Sequence, residues 1–146
     1  MAAWPQVVAA IVAKLPTLDG WSGVAVFDGE PVTGDNPSDY VTVGHVPGED
    51  FAGSYEQATP TAWAVEESGT VRSRLVSTGG DVDLTTRRTR AFALVDAWEA
   101  WVVSDPTLGV LEPSSTASLS VDVEPVQDSS GSAVGLIVTV SYLARY

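Results

Sequence analysis

"TTRRTRAFALVDAWEAW", residues 85–101, decides how the rest of the chain is read. At about 100° per residue, Leu84, Ala91, Val95, Trp98 and Val102 fall on one line of a helix. That line is wide enough to pack against a sheet. Arg90, Leu94, Ala97 and Trp101 form a second line, roughly a quarter turn away or more. Asp96 and Glu99 carry a narrow polar face, with Ala93 and Ala100 between them. Two apolar stripes call for two neighbours. One is the domain's own sheet. The other is either the N-terminal helix of the same chain or a second molecule.

The ends of this helix are legible. Asp83 or Thr85 can cap its N-terminus, and "SDPTLG" (104–109) ends it with a Pro and then a Gly. Upstream, "TVRSRLVST" (70–78) alternates as a strand. Arg72, Arg74 and Val76 share one face; Val71, Ser73 and Leu75 share the other. "TAWAV" (61–65) reads as a separate strand, joined to it by an "EESG" turn (66–69). Two shorter strands precede these, one within "GVAVFDGEP" (23–31) and one at 40–43, with turn chemistry between them. Residues 44–61 show no period and are broken by Gly and Pro, so a long loop is expected there. Within it, Phe51 and Tyr55 either tack the loop to the body or meet a partner.

At the N-terminus, Trp4, Val8, Ile11 and Leu15 recur at helical spacing. Pro5 suits the first turn and Pro16 stops the run. After the long helix, "ASLSVDVEPVQ" (117–127) places Leu119, Val121 and Val123 inward. "AVGLIVTVSYLARY" (133–146) is apolar on both faces. The expected fold is therefore α+β: one domain over residues 1–146, with a mostly antiparallel sheet of five or six strands, two packed helices and a C-terminal β-hairpin.

Charge frames the function. Seven basic residues stand against nineteen acidic ones, a formal net charge of −12. This argues against a non-specific grip on nucleic acid and against attraction to an anionic membrane. There is no cysteine, so thiolate chemistry and sulfur-based zinc sites are excluded. The N-terminal stretch lacks a basic leader region and is too short to span a bilayer, so a soluble intracellular product is expected.

Catalytic signals are weak. His45 is the single histidine, and no nucleophile elbow, P-loop or G-x-G-x-x-G occurs. Asp81, Asp83, Glu66 and Glu67 could touch a hard cation, but no complete ligand loop is present. No catalytic, cofactor or metal residue is assigned, and the chain is read as not an enzyme. Five tryptophans could hint at sugar stacking, yet Trp4, Trp98 and Trp101 sit on helix faces, where packing uses them.

The arginines are the anomaly. Arg72, Arg74, Arg87, Arg88 and Arg90 lie between positions 72 and 90 of a strongly acidic chain. Arg87 has Asp83 four residues before it, whereas Arg88 and Arg90 have no carboxylate within intrahelical reach. Either they pair with acids elsewhere in the chain or sit in solvent, or they meet an acidic face of another copy, a head-to-tail contact that closes into a ring.

In this order the elements resemble the tail terminators of long-tailed, non-contractile bacteriophages. The matching set is an N-terminal helix, "YVTVG" (40–44), a loop bearing "YEQ" (55–57), "VRSRLVSTGGDVD" (71–83), "RRTRAFALVDAWEAWVVSDPTLG" (87–109) and a hairpin ending "LARY" (143–146). The resemblance implies a protomer of a hexameric ring at the head-proximal end of the virion tail, assembled in the host cytoplasm. The ring would cap the tail tube, stop its growth and present a surface to the head–tail connector (stopper) protein. DNA would pass through its lumen without specific binding. On that reading Arg72, Arg74, Arg87, Arg88, Arg90, Leu94 and Trp101 form the subunit interface. Glu49, Asp50, Phe51, Tyr55 and Glu56 contact the tail-tube protein. The competing readings are a head-completion or connector ring of the neck, an accessory binding module and an unrecognised hydrolase.

Overall fold

The computed structural model describes residues 2–31, 38–61, 64–79, 83–124 and 132–146. Helix α1 spans Trp4–Lys14 and runs into a short 3-10 turn, Leu15–Thr17, where Pro16 removes a helical donor. Strands β1 (Ala25–Asp28), β2 (Asp39–Val43), β3 (Gly53–Thr61) and β4 (Ala64–Gly79) follow. Helix α2 covers Leu84–Ser104, and β5 (Thr116–Val123) and β6 (Ser132–Arg145) complete the described elements. The fold is α+β, a six-stranded sheet in the order β1-β2-β4-β6-β5, with β3 also on β4. Every pairing is antiparallel except β1 with β2.

β4 is the spine. From Glu66 to Gly79 it pairs with β6. On its other edge β3 takes the first half and β2 takes part of the second. Two sequence expectations fail here. "EESG" is not a turn: Glu66 to Gly69 continue one sixteen-residue strand. Residues 44–61 are not all loop, because Gly53–Thr61 form β3. Local chemistry favoured a turn at Ser68-Gly69, but pairing on both edges supplies backbone partners that a local reading does not see. Of the expected turns "GEPVTGDNPSD" (29–39), "GGDVD" (79–83) and "DSSGS" (128–132), residues 32–37, 80–82 and 128–131 lie outside the described residues.

Both helices pack on one sheet face. Val71, Ser73 and Leu75 point to it from β4; Val134, Leu136, Val138, Val140 and Tyr142 do so from β6, all buried. Val7, Ile11 and Leu15 of α1 join them. Trp21 and Trp98 meet edge to face at the centre, ring centroids 6.1 Å apart and planes at 78°. Trp21 also donates its indole N–H to the Leu94 carbonyl of α2 at 3.1 Å. Val123, expected inward, is exposed at the end of an edge strand.

The second stripe of α2 is resolved by this core. Leu94 is 1 % exposed and Trp101 6 %, both in the same cluster as α1 and Trp21. They have no surface to offer a neighbouring copy, so their assignment to a subunit interface is corrected. Leu94→Ala should therefore destabilise the isolated protomer by about 2–5 kcal/mol, the range for a buried leucine. Denaturant unfolding of dilute protein checks this; an unchanged midpoint would return Leu94 to the surface.

Candidate functional site

The arginine cluster is the first surface to resolve. Arg72 and Arg74 project from β4 onto the sheet face opposite the helices. Arg72 pairs with Glu49, from the segment before β3. Arg74 makes a two-pronged bond to Glu124, Nε to Oε1 at 2.6 Å and Nη2 to Oε2 at 3.0 Å. Glu124 reaches it by lying across Gly135, where any Cβ would come within 2.9 Å of its carboxylate. Arg87 and Arg90, from α2, both meet Asp39 at the start of β2, at 3.7 and 3.4 Å. Arg87 also donates to the Thr78 carbonyl at 3.2 Å, and Ser77 Oγ donates to Asp39 at 2.6 Å. Asp83, read both as a cap for α2 and as a partner for Arg87, serves as the cap, accepting from the Thr86 N–H at 2.7 Å. That bond holds its carboxyl below the usual range.

Four of the five arginines read as facing a neighbour thus have carboxylate partners in their own chain. The reason is topological. Antiparallel pairing brings Asp39, Glu49 and Glu124 to positions that sequence spacing hides, up to 51 residues away. Arg88 is the exception: it is exposed and, among the described residues, has no carboxylate partner. It starts an exposed stripe along α2 that continues through Phe92, Asp96, Glu99 and Val103.

The tube-contacting set divides. Phe51 stays in an irregular segment and is 75 % exposed, beside exposed Asp50. Tyr55 and Glu56 belong to β3, which makes them strand residues rather than loop residues; Tyr55 is 49 % exposed. Glu49 is engaged by Arg72.

Glu67 is the residue whose role the sequence concealed. It is fully buried, with each carboxylate oxygen bonded. The Ala3 N–H donates to both oxygens at 3.0 Å. Tyr142 donates to Oε2 at 2.7 Å; Gln57 and Tyr146 donate to Oε1 at 2.9 and 3.0 Å. Helix α1 has no side-chain cap of its own, so this carboxylate serves its N-terminus from another strand. Gly69 makes room: a Cβ there would sit 2.6 Å from the Tyr142 oxygen and 2.8 Å from the Ser54 carbonyl. Burial pushes the Glu67 carboxyl up, but the bonds from Tyr142, Gln57, Ala3 and Tyr146 together hold it below its ordinary value. Burial, and then the bond to Glu67, raise Tyr142. The one sequence signal was the alternation that sends Glu66 and Glu67 to opposite faces. Glu66 points out, where Arg145 meets it at 3.1 Å.

The cleft between α1 and the segment at 110–112, lined by Ala3, Gln6, Val110, Leu111 and Tyr146 among others, holds about 230 Å³. That is smaller than ligand pockets usually are. No group of three or more metal-ligating side chains occurs among the described residues. Asp81 lies outside them; Asp83, Glu66 and Glu67 are the cap, ion-pair and buried groups just described. No described helix is long and apolar enough to cross a membrane. No family model and no curated protein matches the chain.

The Glu67 cluster has a pH consequence. Its folded-state pKa is depressed, so the stabilisation is present above the unfolded carboxylate value, near 4, and is lost as pH falls through the lower folded value. Glu67→Gln should cost about 2–4 kcal/mol at neutral pH and flatten the acid limb of the stability curve. Unfolding midpoints measured from pH 7 down to pH 3 check both effects. A variant as stable and as acid-sensitive as the parent would show that the carboxylate is not the anchor.

Proposed function

We propose that this chain is a structural subunit that works by assembling into a ring at the end of a phage tail tube. There it terminates tube growth and offers a surface for joining the head. The order of elements that resembles tail terminators supports this reading. The observation that carries it is Arg88, which among the described residues has no carboxylate partner and is exposed one helical turn from exposed Phe92. The neighbouring arginines are engaged internally, which leaves this position and the α2 stripe behind it for a contact with another, acidic copy.

The mechanism is steric and thermodynamic. The ring binds a tube end and covers the surface the next tube ring would use. Exposed Phe51 is suited to that contact, since aromatic side chains dominate interface energetics. A chain with a net charge of −12 gives outgoing DNA little to adhere to.

Tails assembled without this protein should be overlong in electron micrographs. Tubes of normal length that fail to join heads would point to a connector of the neck instead. Normal virions would point to an accessory role. Arg88→Glu should abolish ring assembly while leaving the protomer's circular dichroism and unfolding midpoint unchanged. Intact rings from that variant would remove Arg88 from the interface.

A further inference from the structure

Two free strand edges lie on opposite sides of one strip of this sheet. Where β3 rather than β2 flanks β4, the order is β3-β4-β6-β5, and each neighbouring pair is antiparallel. β3 and β5 therefore run in opposite directions. The strands also share rows: Ser54, Thr70, Ser141 and Ser118 lie on one level, and Tyr55, Gly69, Tyr142 and Ala117 on the next. Among the described residues, neither the outer edge of β3 nor that of β5 is paired.

Long free edges are hazards unless blunted or used. β1, only four residues long, is blunted by its shortness. β3 has nine residues and β5 eight. The irregular register of β3 is confined to the stretch between Ala58 and Thr61, beside Pro60; from Gly53 to Ala58 its register is regular. Residues 54–60 are all exposed, including Tyr55, whose row faces the helix side without a helix over it.

We infer that copies of this chain join through these edges, β5 of one pairing antiparallel with β3 of the next. The inference rests on the ring-forming reading above and names its lateral contact. The two edges are different surfaces, so the contact is heterologous and repeats head to tail until it closes. Opposite strand directions let the antiparallel alternation continue across the joint. Tyr55 of one copy then comes level with Ala117 and near Leu119 of its neighbour, an aromatic–aliphatic cross-strand pairing that covers the exposed ring.

The dimensions fit a conduit. Four strands per copy, spaced ~4.8 Å apart and tilted ~40°, add about 8 Å of barrel diameter per copy, or about 48 Å for six. Barrels of ~16–18 strands already enclose a water-filled channel. With the helices outside, the inner face of the strip carries hydroxyls at Ser54, Ser68, Thr70, Ser118, Thr139 and Ser141. The Arg74–Glu124 and Arg145–Glu66 pairs neutralise cations on that face. Such a wall has little to hold a phosphate backbone.

The chain has no cysteine, so introduced pairs report cleanly. Ser54→Cys with Ser118→Cys, and Ser54→Cys with Ser120→Cys to allow for stagger, are oxidised mildly in concentrated protein and in assembled particles. The expected result is a ladder of covalent multimers ending at the closed ring, with each single-cysteine variant staying monomeric. Covalent dimers from Ser54→Cys alone would mean that like edges meet, which overturns the proposal. Particles that carry the ring in micrographs yet give no cross-link from either pair would overturn it while leaving the ring-forming function standing. If no ring forms in solution or in particles, both fall.

Discussion

A carboxylate taken out of water needs donors on every side, and Glu67 has them from four directions. The backbone of α1, the amide of Gln57 on β3 and the phenols of Tyr142 and Tyr146 converge on it. Each donor fixes one piece of the molecule relative to β4. The N-terminus of α1 is set at a defined height over the sheet, and Trp4 strengthens this by donating to the Thr70 carbonyl at 2.8 Å. Tyr142 can reach the carboxylate only because Gly69 leaves its row empty. A buried acid, a glycine and a tyrosine on two strands are thus one device. Losing any of them leaves buried polar atoms unmatched, a larger penalty than the gain from any single bond.

The same long strand separates two kinds of charge. On its buried side, Glu67 is neutralised by dipoles rather than by a cation. On its open side, Arg72 and Arg74 are neutralised by Glu49 and Glu124 from flanking segments. Charge pairing of this kind, half exposed to water, adds little stability. Its effect is to leave an open sheet face without free arginines. Asp39 does the same for Arg87 and Arg90 at the boundary between sheet and helix. The cluster that stands out in the sequence is therefore mostly internal wiring, and Arg88 is what remains outside it.

Assembly, on the reading proposed here, uses what the protomer leaves unfinished. The helix face of the sheet is filled over β4 and β6 by α1, α2 and the Trp21–Trp98 contact. The unfinished parts are the outer edges of β3 and β5, the α2 stripe from Arg88 to Val103, and the aromatics Phe51 and Tyr55. Distributed over two flanks of each copy and repeated around a closed ring, they support one another.

The sequence by itself determined the elements with strong local patterns. Both helices, the cap at Asp83, the inward row of β6 and the α+β class follow from periodicity and end signals. These are local because a helix closes its hydrogen bonds within four residues. The sequence misread residues 53–61 and 66–69, where strand formation depends on partners far along the chain. It left Leu94 and Trp101 open between α1 and a neighbour, and the resemblance put them at an interface, because a second apolar stripe looks the same whether α1 or another molecule covers it. Only the tertiary structure decided which acid meets which arginine, and that Glu67 is the anchor. Those pairings join residues up to 79 positions apart, and no spacing rule along the chain encodes distances that exist only after the strands have found each other.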